Sequence, residues 1–441
     1  MNTKNINLTI AALVVFSSTL LAQQTSYKFD FGSGKIAKGY LNVLPETKFQ
    51  NSGKYGFDFD SKVEGVDNGG KNALTSDAVK SDKTFYFSVA VPEGNYKVTV
   101  TLGNAKEPTS TTVKAESRRL MLEDVSARAG EFVTKSFIVN IKDRNIAGGQ
   151  VVSLKPRELT KLDWDDKLTL EFDNKTTLAA IEIVKVEDQI TVFLAGNSTV
   201  VNQEDEPWAS WGQMIPVFFK PGVAIANHAE SGLTLGSFIG SKRLIKVLSI
   251  MKPGDYLFIE FGHNDQKEKG VNDGAYKSYT ERLKTFIVEV RKKGGIPVIV
   301  TSTSRRVFDS SGKIENTLGD FPDAARKVAK SENVALIDLN MMTAQLFNAL
   351  GEEKSKKALV HYPANSYPGQ DKPLADNTHF NPYGAYEIAK CVINGIKDQK
   401  IGLTKYLIND LPVFDPSKPD EPTAWKWTES PRSSLVKPDG N

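Results

Sequence analysis

Hydrophobic and polar positions follow two different rules along this chain, and the change falls near residue 188. Before it, short segments alternate with period two. Lys83-Thr-Phe-Tyr-Phe-Ser-Val-Ala-Val alternates, Pro92-Glu-Gly-Asn turns, and Tyr96-Lys-Val-Thr-Val-Thr-Leu alternates again. Phe137–Ile141, Lys167–Phe172 and Ala179–Val184 continue in the same way. Separate short strands with Gly, Asn and Asp turns and no long helical stripe predict a β-sandwich of jelly-roll type over 25–187.

After Glu187-Asp188-Gln189 the strands become continuously apolar: Ile190–Ala195, Val223–Ala226, Tyr256–Phe261, Ile296–Val300 and Val334–Leu339. Runs of that kind are covered on both faces. Helical periodicity lies between and after them, at Arg243–Met251, Tyr276–Lys293, Phe321–Ser331 and Tyr383–Ile396. Alternating strands and helices predict an α/β domain over 188–410, with a parallel sheet between helical layers. The remaining 411–441, rich in Pro, Ser, Asp and Lys, reads as a tail that wraps the surface or stays loose, with Trp425 and Trp427 as anchors.

Length and charge narrow the function. A chain of 441 residues accommodates two cores, and a formal charge of +3 without a basic block leaves nucleic-acid binding with no electrostatic footprint. Lys4, the apolar run Leu8–Leu21 and Ala22 before Gln23 read as an export signal over 1–22, which predicts a periplasmic or extracellular protein. That run is short for a membrane span. Cys391 is the single cysteine, so no internal disulfide can form. The four histidines lack zinc-ligand spacing, and neither metal nor cofactor is expected.

The candidate chemistry lies at predicted strand ends. Ser198 follows an apolar strand in Gly196-Asn197-Ser198-Thr199, and Asp376-Asn377-Thr378-His379 sets a carboxylate three positions before an imidazole. Serine becomes a nucleophile when a base takes its proton and a third group fixes the base's tautomer. Gly232 can present a bare backbone N–H and Asn264 a side-chain amide, so Ser198, Gly232 and Asn264 form a candidate oxyanion site. In open α/β sheets, sites gather at the carboxyl ends of strands, where Ser198, Gly232, His263 and Asn264 all fall.

These four blocks, in this order, resemble the SGNH (GDSL-like) hydrolase family from about Ile190 to Lys400. The resemblance implies a flavodoxin-like three-layer fold, with Ser198, Asp376 and His379 catalytic and no metal. Gly196-Asn-Ser-Thr-Val, Trp208-Ala-Ser-Trp-Gly and Gly262-His-Asn-Asp-Gln are similar to the rhamnogalacturonan acetylesterase branch. That branch implies removal of acetyl groups from pectin-type plant cell-wall polysaccharide. Esterases for xylan or other acetylated glycans share the same machinery, and a non-catalytic glycan binder is the contrasting reading. One departure stands out: the first block usually carries Asp where this chain has Asn197, which keeps shape and loses a charge. The N-terminal sandwich is similar to galactose-binding-like or malectin-like modules, which either bind sugar or brace the catalytic domain.

Other residues have two readings each. His228 and His361, on predicted loops, and Arg305, after a strand, are candidates to line a substrate cleft, Arg305 by meeting a galacturonate carboxylate. A core or solvated role is the alternative for each. His263 reads first as a structural hydrogen-bonding residue, Asp265 as the tie of its own loop, and Trp208 and Trp211 as core.

Overall fold

The computed structural model describes residues 24–50, 53–411, 413–432 and 437; the expected export signal lies outside the described residues. In the N-terminal domain two sheets share one strand, the twenty-residue Lys167–Val186. Its first part pairs with Phe85–Ala90 and Thr109–Ala115, its second with Gly94–Gly103 and Ser26–Phe31. Sequence reading splits this strand at Asp173-Asn174. The chain does bend there, with Asn174 at φ 63°, and a register shift follows at Leu178–Ala180, but hydrogen bonding continues across both. Asn tolerates the left-handed region because its short side chain clears the backbone.

Alternation on the sandwich strands turns a cluster of phenylalanines inward. Phe87 is fully buried, with ring centroids 5.1 Å from both Phe29 and Phe31 and 5.6 Å from Phe57. Truncation there leaves a cavity that the packed rings cannot fill. Phe87→Ala is expected to destabilise this domain by about 3–5 kcal/mol, read as a lower urea midpoint at unchanged m-value.

In the second domain five strands form a parallel sheet: β1 (Ile190–Gly196), β2 (Val223–Asn227), β3 (Tyr256–Phe261), β4 (Ile296–Thr301) and β5 (Ala335–Ile337). Their order is β2-β1-β3-β4-β5, the doubly wound flavodoxin-like arrangement. Period-two alternation sends Val192 and Leu194 to one face and Phe193 and Ala195 to the other, and both faces are buried. Leu235–Gly240, Arg243–Ile250, Thr280–Lys292 and Phe321–Ser331 cover the second face; Leu339–Lys354 and Pro382–Asp398 cover the first. The helix Leu339–Lys354 is absent from the sequence reading. It buries Leu339, Met342, Leu346, Phe347 and Leu350 at helical spacing, but exposed Met341 blurs that stripe. No helix among the described residues is long and apolar enough to cross a membrane.

The domains meet through buried charge. Arg118, on the hairpin joining Thr109–Ala115 to Arg119–Ala127, pairs with Glu206 and donates to the Trp208 carbonyl at 2.9 Å. Lys142 pairs with Asp163 at 3.1 Å and also donates to the Asn227 carbonyl at the end of β2. The described part of the tail wraps across both domains. Trp425 Nε1 donates to Glu123 at 2.5 Å and Trp427 Nε1 to Glu206 at 2.9 Å. A cavity of about 250 Å³ opens beside it, lined in part by Tyr362, Tyr367, Trp425 and Trp427. The two indoles stack on each other, with Tyr386 against Trp425 and Lys114 over the Trp427 ring, so the tail tryptophans act as pins.

Candidate active site

Ser198 begins the turn after β1. The Val200 N–H donates to the Asn197 carbonyl at 3.0 Å, and Gln203 Nε2 donates to the Ser198 carbonyl at 2.8 Å. A Cβ at Gly196 would come within 2.5 Å of Val200, so the elbow is closed to a larger residue. The strand Leu374–Phe380, paired with Leu359–Tyr362, brings the second block to this elbow. His379 Nε2 lies 2.8 Å from Ser198 Oγ, and His379 Nδ1 lies 2.8 Å from Asp376 Oδ2.

The three-residue spacing divides the Asp376 carboxylate between two tasks. Oδ1 accepts from the backbone N–H groups of Thr378 at 2.9 Å and His379 at 3.0 Å, closing a tight turn, while Oδ2 faces the imidazole. Burial alone would raise the Asp376 pKa. The bond and charge of His379, with the two backbone N–H groups, outweigh burial and hold it well below the usual carboxylate range. The carboxylate is therefore ionised at neutral pH and accepts the proton on Nδ1 of the imidazole. That leaves Nε2 to accept from Ser198.

Two further strand ends supply donors. Gly232 has φ 78°, a backbone conformation that suits glycine. The Glu230 N–H donates to the Gly196 carbonyl at 3.3 Å, which ties the Gly232 loop to the serine elbow. Neither the Ser198 nor the Gly232 N–H donates to an acceptor among the described residues. Asn264 uses one amide hydrogen on the Leu233 carbonyl at 3.2 Å, and the other has no acceptor among the described residues. The candidate nucleophile, base, orienter and three donors thus share the carboxyl edge of the sheet.

Two family models match the chain, and several known proteins are similar to it. Residues 194–385 match the GDSL-like Lipase/Acylhydrolase family, and residues 27–147 match the Beta-agarase/YXIM esterase-like, galactose-binding domain-like family. The chain is 42% identical over 222 residues to rhamnogalacturonan acetylesterase RhgT of Bacillus subtilis (strain 168), covering 50% of this chain and 95% of that relative. The chain belongs to the GDSL-like acylhydrolase family. It is a carboxylic-ester hydrolase with an N-terminal galactose-binding-like domain. It is also similar to the uncharacterized esterase YxiM of the same organism, 28% identical over 396 residues, covering 86% of this chain and 93% of YxiM. A rhamnogalacturonan acetylesterase of Emericella nidulans is 26% identical over 239 residues, covering 49% of this chain and 89% of that protein.

The Asn197 departure within this acylhydrolase has a physical account. Asn197 Oδ1 accepts from the Thr199 N–H at 3.2 Å and lies 3.0 Å from Thr199 Oγ1, which is also 2.8 Å from Glu260 Oε1. The Thr199 hydroxyl has one hydrogen, so it donates to one of these two oxygens at a time. Burial pushes the Glu260 pKa up to about 7, against hydrogen bonds from Trp211, Thr199 and Thr303 that lower it. An aspartate at 197 would set a second carboxylate on the same hydroxyl.

Glu260 also makes stability depend on pH. Its folded pKa lies above the unfolded value near 4.5, so the native state keeps a proton that the unfolded chain releases. Stability should therefore fall as pH rises from about 4.5 to about 7, by up to about 3 kcal/mol, and then level off. Asp265, also raised to about 7 by burial, acts in the same direction. Denaturant titrations should show Glu260→Gln with a shallower decline than the native protein.

The remaining candidates divide. His228, expected beside a cleft, is fully buried between Trp164 and Phe193, at ring distances of 6.0 and 5.8 Å. Neither of its nitrogens has a hydrogen-bond partner among the described residues, and burial, then the charges of Lys142, Lys246 and Arg243, drives its pKa well below the usual range. It is a neutral core residue, because the connector carrying Trp164 covers the end of β2. His263 is likewise buried, and burial drives its pKa well below the usual range against a backbone hydrogen bond to Thr303 that raises it. His361 Nε2 lies 2.9 Å from Asn377 Oδ1, within the catalytic segment. Arg305 is half-buried and reaches the His263 carbonyl and Thr317 at 3.4 Å, beside the Asn264 loop. Asp265 accepts from Gly262 and Leu235, and Trp208 and Trp211 are core. Glu260, and the cations that contact the Gly232 loop, are missing from the sequence reading. Their partners lie far away in the chain, and no local pattern marks them.

Proposed function

We propose that this protein is an exported acetylesterase that removes O-acetyl groups from pectin-type plant cell-wall polysaccharide. The observation that carries this reading is the serine–imidazole–carboxylate relay, with both of its bonds at 2.8 Å, beside the Ser198 and Gly232 N–H groups. Similarity to the rhamnogalacturonan acetylesterase of Bacillus subtilis over nearly its whole length supports the substrate class. The Leu8–Leu21 run supports export.

In the proposed mechanism Ser198 Oγ attacks the acetyl carbonyl carbon while His379 Nε2 takes its proton. The resulting oxyanion accepts from the N–H groups of Ser198 and Gly232 and from the Asn264 amide. Collapse expels the sugar alkoxide, which His379 protonates, leaving an acetyl-enzyme on Ser198. Water, deprotonated by His379, releases acetate and restores the serine. Asp376 holds the imidazole throughout and is not itself protonated. His361 and Arg305 are the candidates to meet the sugar, and Arg305 suits a uronate carboxylate.

Acetate release from acetylated rhamnogalacturonan, acetylated xylan and a long-chain lipid ester checks this reading. Turnover is expected to be fastest on the first. Preference for xylan would move the substrate class while keeping the mechanism. Binding to polysaccharide with no hydrolysis of any ester, including a small aryl acetate, would overturn the enzymatic reading.

A further inference from the structure

The second oxyanion donor is one end of a peptide unit whose other end is held by the N-terminal domain. The Gly232 N–H and the Ser231 carbonyl belong to the same amide. The Ser231 oxygen accepts from Lys155 Nζ at 2.7 Å and from Arg157 Nη2 at 3.0 Å. Both cations lie on the connector between the sandwich strands Phe132–Ile141 and Lys167–Val186, Arg157 within the 3-10 turn Pro156–Thr160. The connector is also anchored one residue earlier on the loop. Glu230, 1% exposed, receives Arg157 Nε and Nη2 at 2.9 and 2.7 Å on one oxygen and Lys161 Nζ at 2.8 Å on the other. Glu158 of the same turn is fully buried against Arg243 at 2.6 Å, and Arg243 Nη1 donates to the His228 carbonyl at 3.2 Å. Lys142 takes the Asn227 carbonyl. The carbonyls of 227, 228 and 231 are therefore each bonded to a cation, and three of those four cations come from the N-terminal side of the chain.

Two consequences reach the Gly232 N–H. An amide fixed at its oxygen by two donors cannot rotate, so the direction of its N–H is set before substrate arrives; preorganisation of that kind is what an oxyanion site requires. A cation on the carbonyl also draws charge toward oxygen through the amide resonance. The N–H of the same unit then becomes a stronger donor, the cooperative effect of linked hydrogen bonds at low dielectric.

We propose that Lys155 and Arg157 are positioning residues for ester hydrolysis: they aim and polarise the Ser231–Gly232 amide, so that the N-terminal domain completes the oxyanion site of the hydrolase domain. This rests on the reading of Ser198 as nucleophile and Gly232 as donor.

The test uses the full-length protein with Lys155→Met, Arg157→Met, the double variant, and the charge-keeping Lys155→Arg and Arg157→Lys. Lys246→Met is the control. It removes a different buried interdomain cation, one paired with Glu93 and Asp143 at 2.7 and 3.0 Å. Measurements are kcat and KM on a small aryl acetate, the affinity of a phenylboronic acid that forms a tetrahedral adduct with the serine, and thermal stability. Each Met variant is expected to lower kcat about tenfold and the double about a hundredfold, less than the loss of a donor outright. KM should stay within about twofold and boronate affinity should fall in step with kcat, because both need the oxyanion donor and ground-state binding does not. The charge-keeping variants should recover most of kcat, and Lys246→Met should lower thermal stability at near-native kcat.

A folded double variant with kcat within about twofold of native overturns the proposal, as does an equal loss of kcat in Lys246→Met, which would indicate general loosening of the interface. If Arg157→Met fails to fold with Glu230 left buried beside fewer cations, Lys155→Met and Arg157→Lys carry the same comparison. Failure of the underlying reading would appear separately, as retained turnover in Ser198→Ala.

Discussion

Ser198→Ala is expected to leave the fold intact and to lower kcat for ester hydrolysis by about a million-fold. The hydroxyl bonds to His379 Nε2, and it stands at the end of β1 in a turn held by the Asn197 carbonyl and Gln203. Removing one oxygen there leaves no core void and breaks no ladder bond, so stability should change by no more than about 1 kcal/mol. The oxyanion donors remain, and with them a residual acceleration over water of about three to four orders of magnitude. Acetate release followed to long times, beside a circular dichroism melt of the same preparation, measures both quantities. A folded variant within tenfold of native turnover would remove Ser198 from the mechanism.

Asp376→Asn should be nearly as damaging, with a loss of about ten-thousandfold in kcat, for a reason written in the turn. Two backbone N–H groups, from Thr378 and His379, converge on one side-chain oxygen at 2.9 and 3.0 Å. In the variant those donors still demand the amide oxygen, which directs the NH2 group at His379 Nδ1. The ring nitrogen must then accept, the imidazole proton moves to Nε2, and Nε2 can no longer take the proton of Ser198. Because the turn keeps its acceptor, the melting temperature should fall by only a few degrees. Equal losses of kcat and kcat/KM on the aryl acetate would match an interaction made in the transition state. A drop of less than tenfold would mean that Asp376 does not set the tautomer.

Much of the catalytic domain was legible in the chain because a sheet buried on both faces writes itself as continuous apolar runs. Ile190–Gly196, Tyr256–Phe261 and Phe321–Ser331 fall where periodicity puts them. Leu339–Lys354 was missed because its buried stripe is interrupted by exposed Met341, and only the packing against the first face of the sheet shows which positions count. Lys167–Phe172 and Ala179–Val184 read as two strands because the polar Asp173-Asn174-Lys175 between them resembles a turn. The neighbouring strands of both sheets keep the backbone hydrogen-bonded through it. His228 misled for a related reason. A histidine four residues before a glycine in a loop looks available for ligand, and what covers it is Trp164, 64 positions earlier.

By itself the sequence determined the two-domain plan, the strand ends, and the residue types at them: serine, glycine, asparagine, and a histidine with a carboxylate three positions before. These are local properties, carried by side-chain period and by the reach of an Asp-x-x-His turn. Tertiary structure alone decided which groups hold those residues in place. The raised pKa of Glu260 beneath the elbow depends on burial that no neighbouring residue announces. The cations on the Ser231 carbonyl act across 74 to 76 positions of chain. Contacts closed over that separation have no period to read, because only folding brings the sandwich connector and the end of β2 together.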